Sequence, residues 1–252
     1  MPMVELKKEE LPYEMNEEFK LLRTNIQFSG TDKKVLLMTS AFSGEGKSTV
    51  ALELCRSFTE LGKTVLLIDA DMRNSGIMRS IVGEVPEFGL SHYLSNQCSV
   101  NQVLCNTNTK GLNLIVGGKV PPNPAELLAR PAMEKLIEAC KKVCDYIVID
   151  CPPLGLVVDA AIVSNYCDGS MILIESGAVK YRLAQDVIGK MRNAKCPIIG
   201  IILNKVDYQH GGKYYGKYYG KYGKYGKYGK YYGKYGYGYG YGKPEEKDKE
   251  KK

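Results

Sequence analysis

The residues with the clearest chemical purpose run Ala41-Phe42-Ser43-Gly44-Glu45-Gly46-Lys47-Ser48-Thr49, between the apolar run VLLMTS and a helical pattern. Their spacing is that of GxxxxGK[ST], with Ala41 in place of the first glycine. Between a strand and a helix, such a turn points successive backbone N–H groups at one spot, where they and the helix dipole hold a triphosphate. Gly44 and Gly46 permit close approach, Lys47 reaches the β and γ phosphates, and the Ser48 hydroxyl is placed to ligate Mg²⁺. The expected cofactors are ATP and Mg²⁺, with contacts from Ser43, Gly44, Glu45, Gly46, Lys47, Ser48 and Thr49. The Gly-Glu-Gly inside the loop does not make a dinucleotide site, because Thr49 stands where the third glycine of GxGxxG belongs.

Two further apolar runs end in acid. TVLLID leads to Asp69 and then Asp71, and YIVID leads to Asp150, followed by Cys151-Pro152-Pro153. If both runs are parallel strands, their carboxyl ends open on the side of the phosphate loop. Three carboxylates then converge near the metal and the γ phosphate, where they can hold Mg²⁺ directly or through water and take a proton from an attacking hydroxyl. Helix capping accounts for one Asp at a time, but not for their pairing with a phosphate loop.

The elements that must position these groups are legible as an alternation of types. Apolar runs at 35–40, 64–69, 112–116, 146–149, 171–174 and 197–203 read as strands. Helical patterns lie at 47–61 (closed by Gly62), 132–144, 157–166 and 181–193. Continuously apolar strands alternating with helices predict an α/β fold: a mostly parallel central sheet with helices on both faces, of the P-loop NTPase kind. Ahead of it, Met15, Phe19, Leu22 and Ile26 make an amphipathic helix behind a polar leader. The domains expected are a leader and helix over 1–30, a catalytic body over 31–208 and a tail over 209–252.

That tail is a repeat of Lys, Tyr and Gly. It carries thirteen tyrosines: Tyr214, Tyr215, Tyr218, Tyr219, Tyr222, Tyr225, Tyr228, Tyr231, Tyr232, Tyr235, Tyr237, Tyr239 and Tyr241. With frequent glycine and no aliphatic residue to form a core, it is expected to be disordered. From Gly211 to Lys252 there are 12 Lys against 4 acids, a charge of +8, which leaves 23 minus 24, or −1, for the body. A nearly neutral body gives no reason to expect nucleic-acid binding by the folded domain. The eight cysteines lie mostly in apolar stretches without CxxC pairs, which suits reduced core residues; Cys140 and Cys144 are one helical turn apart with nothing nearby to complete a metal site. The start is polar and the apolar runs are strand-sized, so a cytoplasmic location is expected. His92 and His210 read as ordinary surface or turn residues.

Taken in order, EEFKLLRTNI (17–26), SAFSGEGKST, LLIDADMR (66–73), GLSHYLSN (89–96), PPNPAELL (121–128), YIVIDCPP (146–153) and the tyrosine cluster resemble bacterial tyrosine kinases of the capsule- and exopolysaccharide-assembly type. The resemblance covers nearly all of the body. It implies a P-loop kinase unrelated to the eukaryotic type, and the chain has neither a suitably spaced HRD and Asn nor DFG. It places Asp69 and Asp71 in the family's extra acidic motif and Asp150 in its second nucleotide motif. On that basis Ser48, Asp71 and Asp150 are assigned to the metal, Lys47, Asp69 and Asp71 to catalysis, and Asp69 is the candidate base, with the division between Asp69 and Asp71 left open. A phenol with a pKa of about 10 must lose its proton during transfer. Asn204, at the end of the last strand, is the candidate adenine contact.

The same resemblance implies a homo-oligomeric ring built through Glu17, Lys20 and Arg23, in which the tail of one subunit is substrate of the next. It also implies a membrane-anchored activating adaptor, through which the chain sits at the inner face of the membrane, and an opposing protein-tyrosine phosphatase. Three departures stand out. Lys20 replaces the arginine of the family's oligomer motif and loses its bidentate fork. Asn74-Ser75 stands where Lys-Pro is usual, and Cys151 where Thr is usual. The rival reading is a non-kinase ATPase switch of the septum-positioning or partition type. That group carries a signature Lys five residues before the loop Lys, where this chain has Phe42. A second rival, a nucleotide-binding module without kinase activity, is opposed by intact Lys47, Asp69, Asp71 and Asp150.

Overall fold

The structure, a computed structural model, describes residues 1–207 apart from Glu9, Thr31 and Lys195. The tail tyrosines, the expected disorder of their segment and His210 lie outside the described residues.

In chain order the elements begin with β1 (Met3–Leu6), α1 (Tyr13–Phe28), β2 (Val35–Ser40), α2 (Lys47–Thr59) and β3 (Val65–Asp69). A 3-10 turn (Ile77–Ser80), β4 (Ile81–Val82), α3 (Leu90–Leu94), α4 (Val100–Val103), β5 (Cys105–Thr107) and β6 (Leu112–Ile115) follow. The remainder is α5 (Pro124–Leu128), α6 (Pro131–Lys141), β7 (Tyr146–Asp150), α7 (Asp159–Val163) running into a 3-10 turn (Ser164–Tyr166), β8 (Gly169–Glu175), α8 (Tyr181–Arg192) and β9 (Ile198–Asn204).

The strands form one sheet in the order β4-β1-β5-β6-β3-β7-β2-β8-β9. From β6 to β9 every pairing is parallel, while β5 against β6 and β1 against β4 are antiparallel. Alternate residues of each central strand feed two cores. Leu37, Leu66, Ile68, Ile147, Ile149 and Ile172 meet residues of α3, α5, α6, α7 and α8 on one face. Leu36, Met38, Val65, Leu67, Val148, Met171 and Leu173 meet α1 and α2 on the other, where Leu54, Cys55 and Phe58 are fully buried. Burial on both faces is why these strands read as unbroken apolar runs.

The six expected strands and five expected helices are present, with ends shifted by a few residues. The leader differs from its expected polar character: Val4 and Leu6 are buried, and β1 pairs in parallel with β5. Arg23 also differs from a surface oligomer contact. It is buried, donates to the Ser57 backbone carbonyl and, at 3.1 Å, to Ser57 Oγ, and lies 3.4 Å from Glu60 Oε2. It thereby ties α1 to α2. Glu17 and Lys20 pair with each other at 2.7 Å and remain half exposed.

All eight cysteines are free; six are buried, and Cys98 and Cys167 are partly so. Burial pushes the Cys105, Cys140 and Cys196 thiols up to about 11 and those of Cys55, Cys151 and Cys167 higher. Among the described residues no helix is long and apolar enough to cross a membrane.

Candidate active site

Parallel register brings the acids together. Asp69 ends β3 and Asp150 ends β7, and the two are direct partners across the strand pair. Met38 of β2 pairs with Asp150 on the other side, so the turn leaving β2 starts beside both carboxylates. That turn is the glycine loop. Gly44 and Gly46 take φ of 87° and 92°, a left-handed conformation that favours glycine, and Gly46 caps the N-terminus of α2. A Cβ on Gly46 would collide with the Asn204 amide. Ser43, Gly44 and Thr49 are exposed, and Ser48 is partly buried in the first turn of α2.

Lys47 is buried between two acids. Its Nζ donates to Asp150 Oδ1 and lies 3.8 Å from Asp71 Oδ2. Burial alone would pull its pKa down, but attraction to Asp150 and Asp71 outweighs this and the pKa is raised. Asp69 is wholly buried, and loss of water together with repulsion from Asp150 pushes its carboxyl up to about 7, against the pull of Ser75 and Lys47. Burial likewise raises Asp71, opposed by Lys47 and by the Asn74 N–H that Asp71 Oδ1 accepts at 3.1 Å. A carboxyl poised near neutrality beside the phosphate loop is suited to accepting a proton.

Among the described residues no three His, Cys, Asp or Glu side chains are grouped to hold a metal by themselves. Mg²⁺ at a phosphate loop does not need such a cage, since phosphates and water supply most of its six oxygens. The residues present fit that arrangement: Asp150 Oδ2 is a buried carboxylate oxygen without a hydrogen-bond partner, on a side chain whose Oδ1 accepts from the Lys47 of the phosphate loop.

Two of the expected nucleotide contacts are braces in this structure. The Glu45 carboxylate is buried and accepts from Phe42 N–H at 2.6 Å and from Glu175 N–H at 2.9 Å, fixing the loop to the end of β8. The Asn204 amide donates to the Glu45 carbonyl at 2.7 Å and so supports the loop backbone. Lys205, which the sequence reading missed, adds bonds of 2.8 Å to the Gly44 carbonyl and to Glu175 Oε2. Arg73 was also missed; it holds the buried Asp159 through two bonds of 3.0 and 3.2 Å. The Asp at the start of α7, facing an Arg in the DADMR segment, was the available signal. His92 is a correction: it is buried, its Nδ1 accepts from Gly89 N–H at 3.1 Å, and its ring meets Phe88 edge-on.

A glycine loop between β2 and α2, a parallel sheet with acids at its carboxyl ends and helices on both faces define a P-loop domain, and a model of the AAA domain family matches residues 33–184. The chain is 42% identical over 210 residues to "Tyrosine-protein kinase CpsD" of Streptococcus agalactiae, covering 83% of this chain and 89% of that protein. It is 38% identical over 192 residues to "Tyrosine-protein kinase YwqD" of Bacillus subtilis, covering 75% and 80% of the two chains. Its fold superposes on the kinase domain of Escherichia coli tyrosine kinase ETK with a TM-score of 0.74 at 31% identity, over 79% and 78% of the chains. The chain belongs to the bacterial tyrosine-protein kinases and is accordingly a protein-tyrosine kinase.

Proposed function

We propose that this kinase uses ATP and Mg²⁺ to phosphorylate the tyrosines at 214–241 of its own chain, with the tail of one subunit entering the site of another. The observation that carries the reading is the convergence of Lys47, Asp69, Asp71 and Asp150 at the glycine loop: Asp69 and Asp150 pair across β3 and β7, and Lys47 Nζ lies between Asp150 and Asp71. Asp69 accepts the phenol proton at one carboxylate oxygen. Lys47 leaves its acids for the β and γ phosphates, and the loop N–H groups orient the triphosphate. Ser48, Asp71 and Asp150 would hold the metal, directly or through water. When bound, Mg²⁺ neutralises charge developing across the phosphates.

A chain of about 30 residues has a root-mean-square reach of roughly 30 Å, which makes transfer between neighbours physically easy. Each phosphotyrosine adds about −1.5 to −2, so full modification takes the tail from +8 to roughly −12 to −18 and turns attraction for acidic surfaces into repulsion. Ring assembly is proposed to use the exposed Glu17 and Lys20, with Arg23 supporting α1 from behind. The resemblance of its segments to kinases of the capsule- and exopolysaccharide-assembly type supports a role in regulating synthesis and export of such a polymer. An adaptor at the inner face of the membrane and a protein-tyrosine phosphatase are proposed partners.

The test is incubation with ATP and Mg²⁺ followed by mass spectrometry, with Lys47→Met and tail-deleted controls. Phosphate on 214–241 that disappears in Lys47→Met is the expected result. ATP hydrolysis without phosphotyrosine would sink the reading.

A further inference from the structure

We propose that Ser75 is a positioning residue for phosphoryl transfer: its hydroxyl and the Asp71 N–H together lock the carboxylate of Asp69 in the orientation that receives the phenol proton. The proposal rests on the reading of Asp69 as base. It concerns a position where the chain departs from the Lys-Pro of the family pattern, and where nothing in the sequence pointed to a role.

The geometry is a closed set of bonds. Ser75 Oγ donates to Asp69 Oδ2, while Asp69 Oδ1 accepts from Asp71 N–H at 3.1 Å. A serine hydroxyl has one proton and two lone pairs, and one of those lone pairs is engaged by Met78 N–H at 3.1 Å, at the start of the 3-10 turn 77–80. With Met78 N–H on one side, its proton is directed at Asp69. Each carboxylate oxygen of Asp69 thus carries one donor, which fixes the last side-chain torsion of a residue whose backbone is already set as the end of β3. An ionised carboxylate offers about four acceptor sites, so lone pairs remain for an incoming hydroxyl.

Ser75 itself is anchored. Gly76 follows it and lies so close to Ser48 that a Cβ there would collide with the Ser48 Oγ and Cβ. The segment 75–76 is thereby seated on the first turn of α2, next to the hydroxyl assigned to Mg²⁺. Ser75 thus ties the proposed base to the following turn, and its neighbour Gly76 packs on the proposed metal ligand Ser48.

A merely structural Ser75 would cap the turn 77–80 and nothing more. The two roles separate in steady-state kinetics of the full-length protein, with ATP, Mg²⁺ and a synthetic Lys-Tyr-Gly repeat peptide as acceptor. Misplacing a reacting group by about 1 Å costs on the order of 100-fold, so Ser75→Ala is expected to lower kcat by about 10- to 100-fold with KM for ATP within about twofold. Ser75→Thr, which keeps the hydroxyl, is expected to recover most of the lost kcat. A cap-only role predicts a lower Tm for Ser75→Ala with kcat of the folded protein unchanged, and that result overturns the proposal. Equal loss in Ser75→Thr and Ser75→Ala overturns it as well. Asp69→Asn run alongside separates the two levels. If Asp69→Asn keeps wild-type kcat, the base assignment falls and this inference with it; if Asp69→Asn is inactive while Ser75→Ala is fully active, only the role of Ser75 is lost.

Discussion

Replacing Asp69 by Asn should remove the reaction and make the fold more stable, and the second effect should depend on pH. A carboxyl held at about 7 in the folded state, against 3.8 when free, burdens the fold by at most about 4 kcal/mol once both states are ionised. Below pH 3.8 both states carry the proton and the burden is absent. Between 3.8 and about 7 the unfolded chain releases its proton first, so stability falls as pH rises, by up to about 1.4 kcal/mol per pH step of one. Above about 7 the burden is complete. An Asn amide fits the same bonds, with Oδ1 accepting from Asp71 N–H and Nδ2 donating to Ser75 Oγ, whose proton can turn away. It also relieves repulsion with Asp150. The gap between variant and wild type should therefore widen by about 3 kcal/mol from pH 5 to pH 8, or roughly 5–10 °C in Tm for a domain of this size. Calorimetry of both proteins across that range measures it, and comparing the gap at two pH values cancels any fixed cost of the amide. A gap that does not change with pH would show that Asp69 is ionised throughout and that the reasoning from burial is wrong.

Lys47→Met should abolish tyrosine phosphorylation, and by leaving Asp150 buried without its cation it should destabilise the protein by about 3–5 kcal/mol; an unchanged urea midpoint would contradict this. Gly46→Ala meets both a φ of 92° and a collision with Asn204, so calorimetric ATP affinity should fall by at least about tenfold, and wild-type affinity would count against the loop geometry. Arg23→Ala removes the buried link between α1 and α2 and should cost about 1–3 kcal/mol by chemical denaturation. The double change Glu17→Ala with Lys20→Ala should leave Tm in place but lower the mass seen by light scattering; an intact assembly would exclude these residues from the ring contact.

The central sheet was legible because five of its strands, β2, β3, β6, β7 and β8, are buried on both faces and so stand out as apolar runs. The acids at 69 and 150 could be placed together for the same reason: two such runs end in Asp, and parallel pairing sets their ends level. Short elements left no comparable signal. β1 has only four residues, and just Val4 and Leu6 face the core; β4 has two residues, and α3 and α5 have five each. Burial of these pieces is decided by contacts distant in sequence, such as β1 with β5. Within the site, Lys47, Ser48 and the glycines follow from motif spacing, whereas Ser75, Lys205 and the bracing roles of Glu45 and Asn204 depend on where three separate turns meet. The bonds that the Glu45 carboxylate accepts from Phe42 and Glu175 have no signature in the motif, because Glu175 is 130 residues away in the chain. Arg23 shows the converse: the resemblance implies a ring contact there, while its guanidinium lies against α2.

The eight thiols carry a practical consequence. Most are closed off from water, and their raised pKa values keep thiolate scarce at neutral pH, so an alkylating reagent reacts with them chiefly when the surrounding structure opens. They are distributed over both cores: Cys55 and Cys105 lie on the α2 side, and Cys140, Cys144 and Cys151 on the other. Labelling rates followed cysteine by cysteine would thus act as built-in clocks for local opening. Cys151, one residue past Asp150, would report whether nucleotide quiets the floor of the site before the outer layers respond.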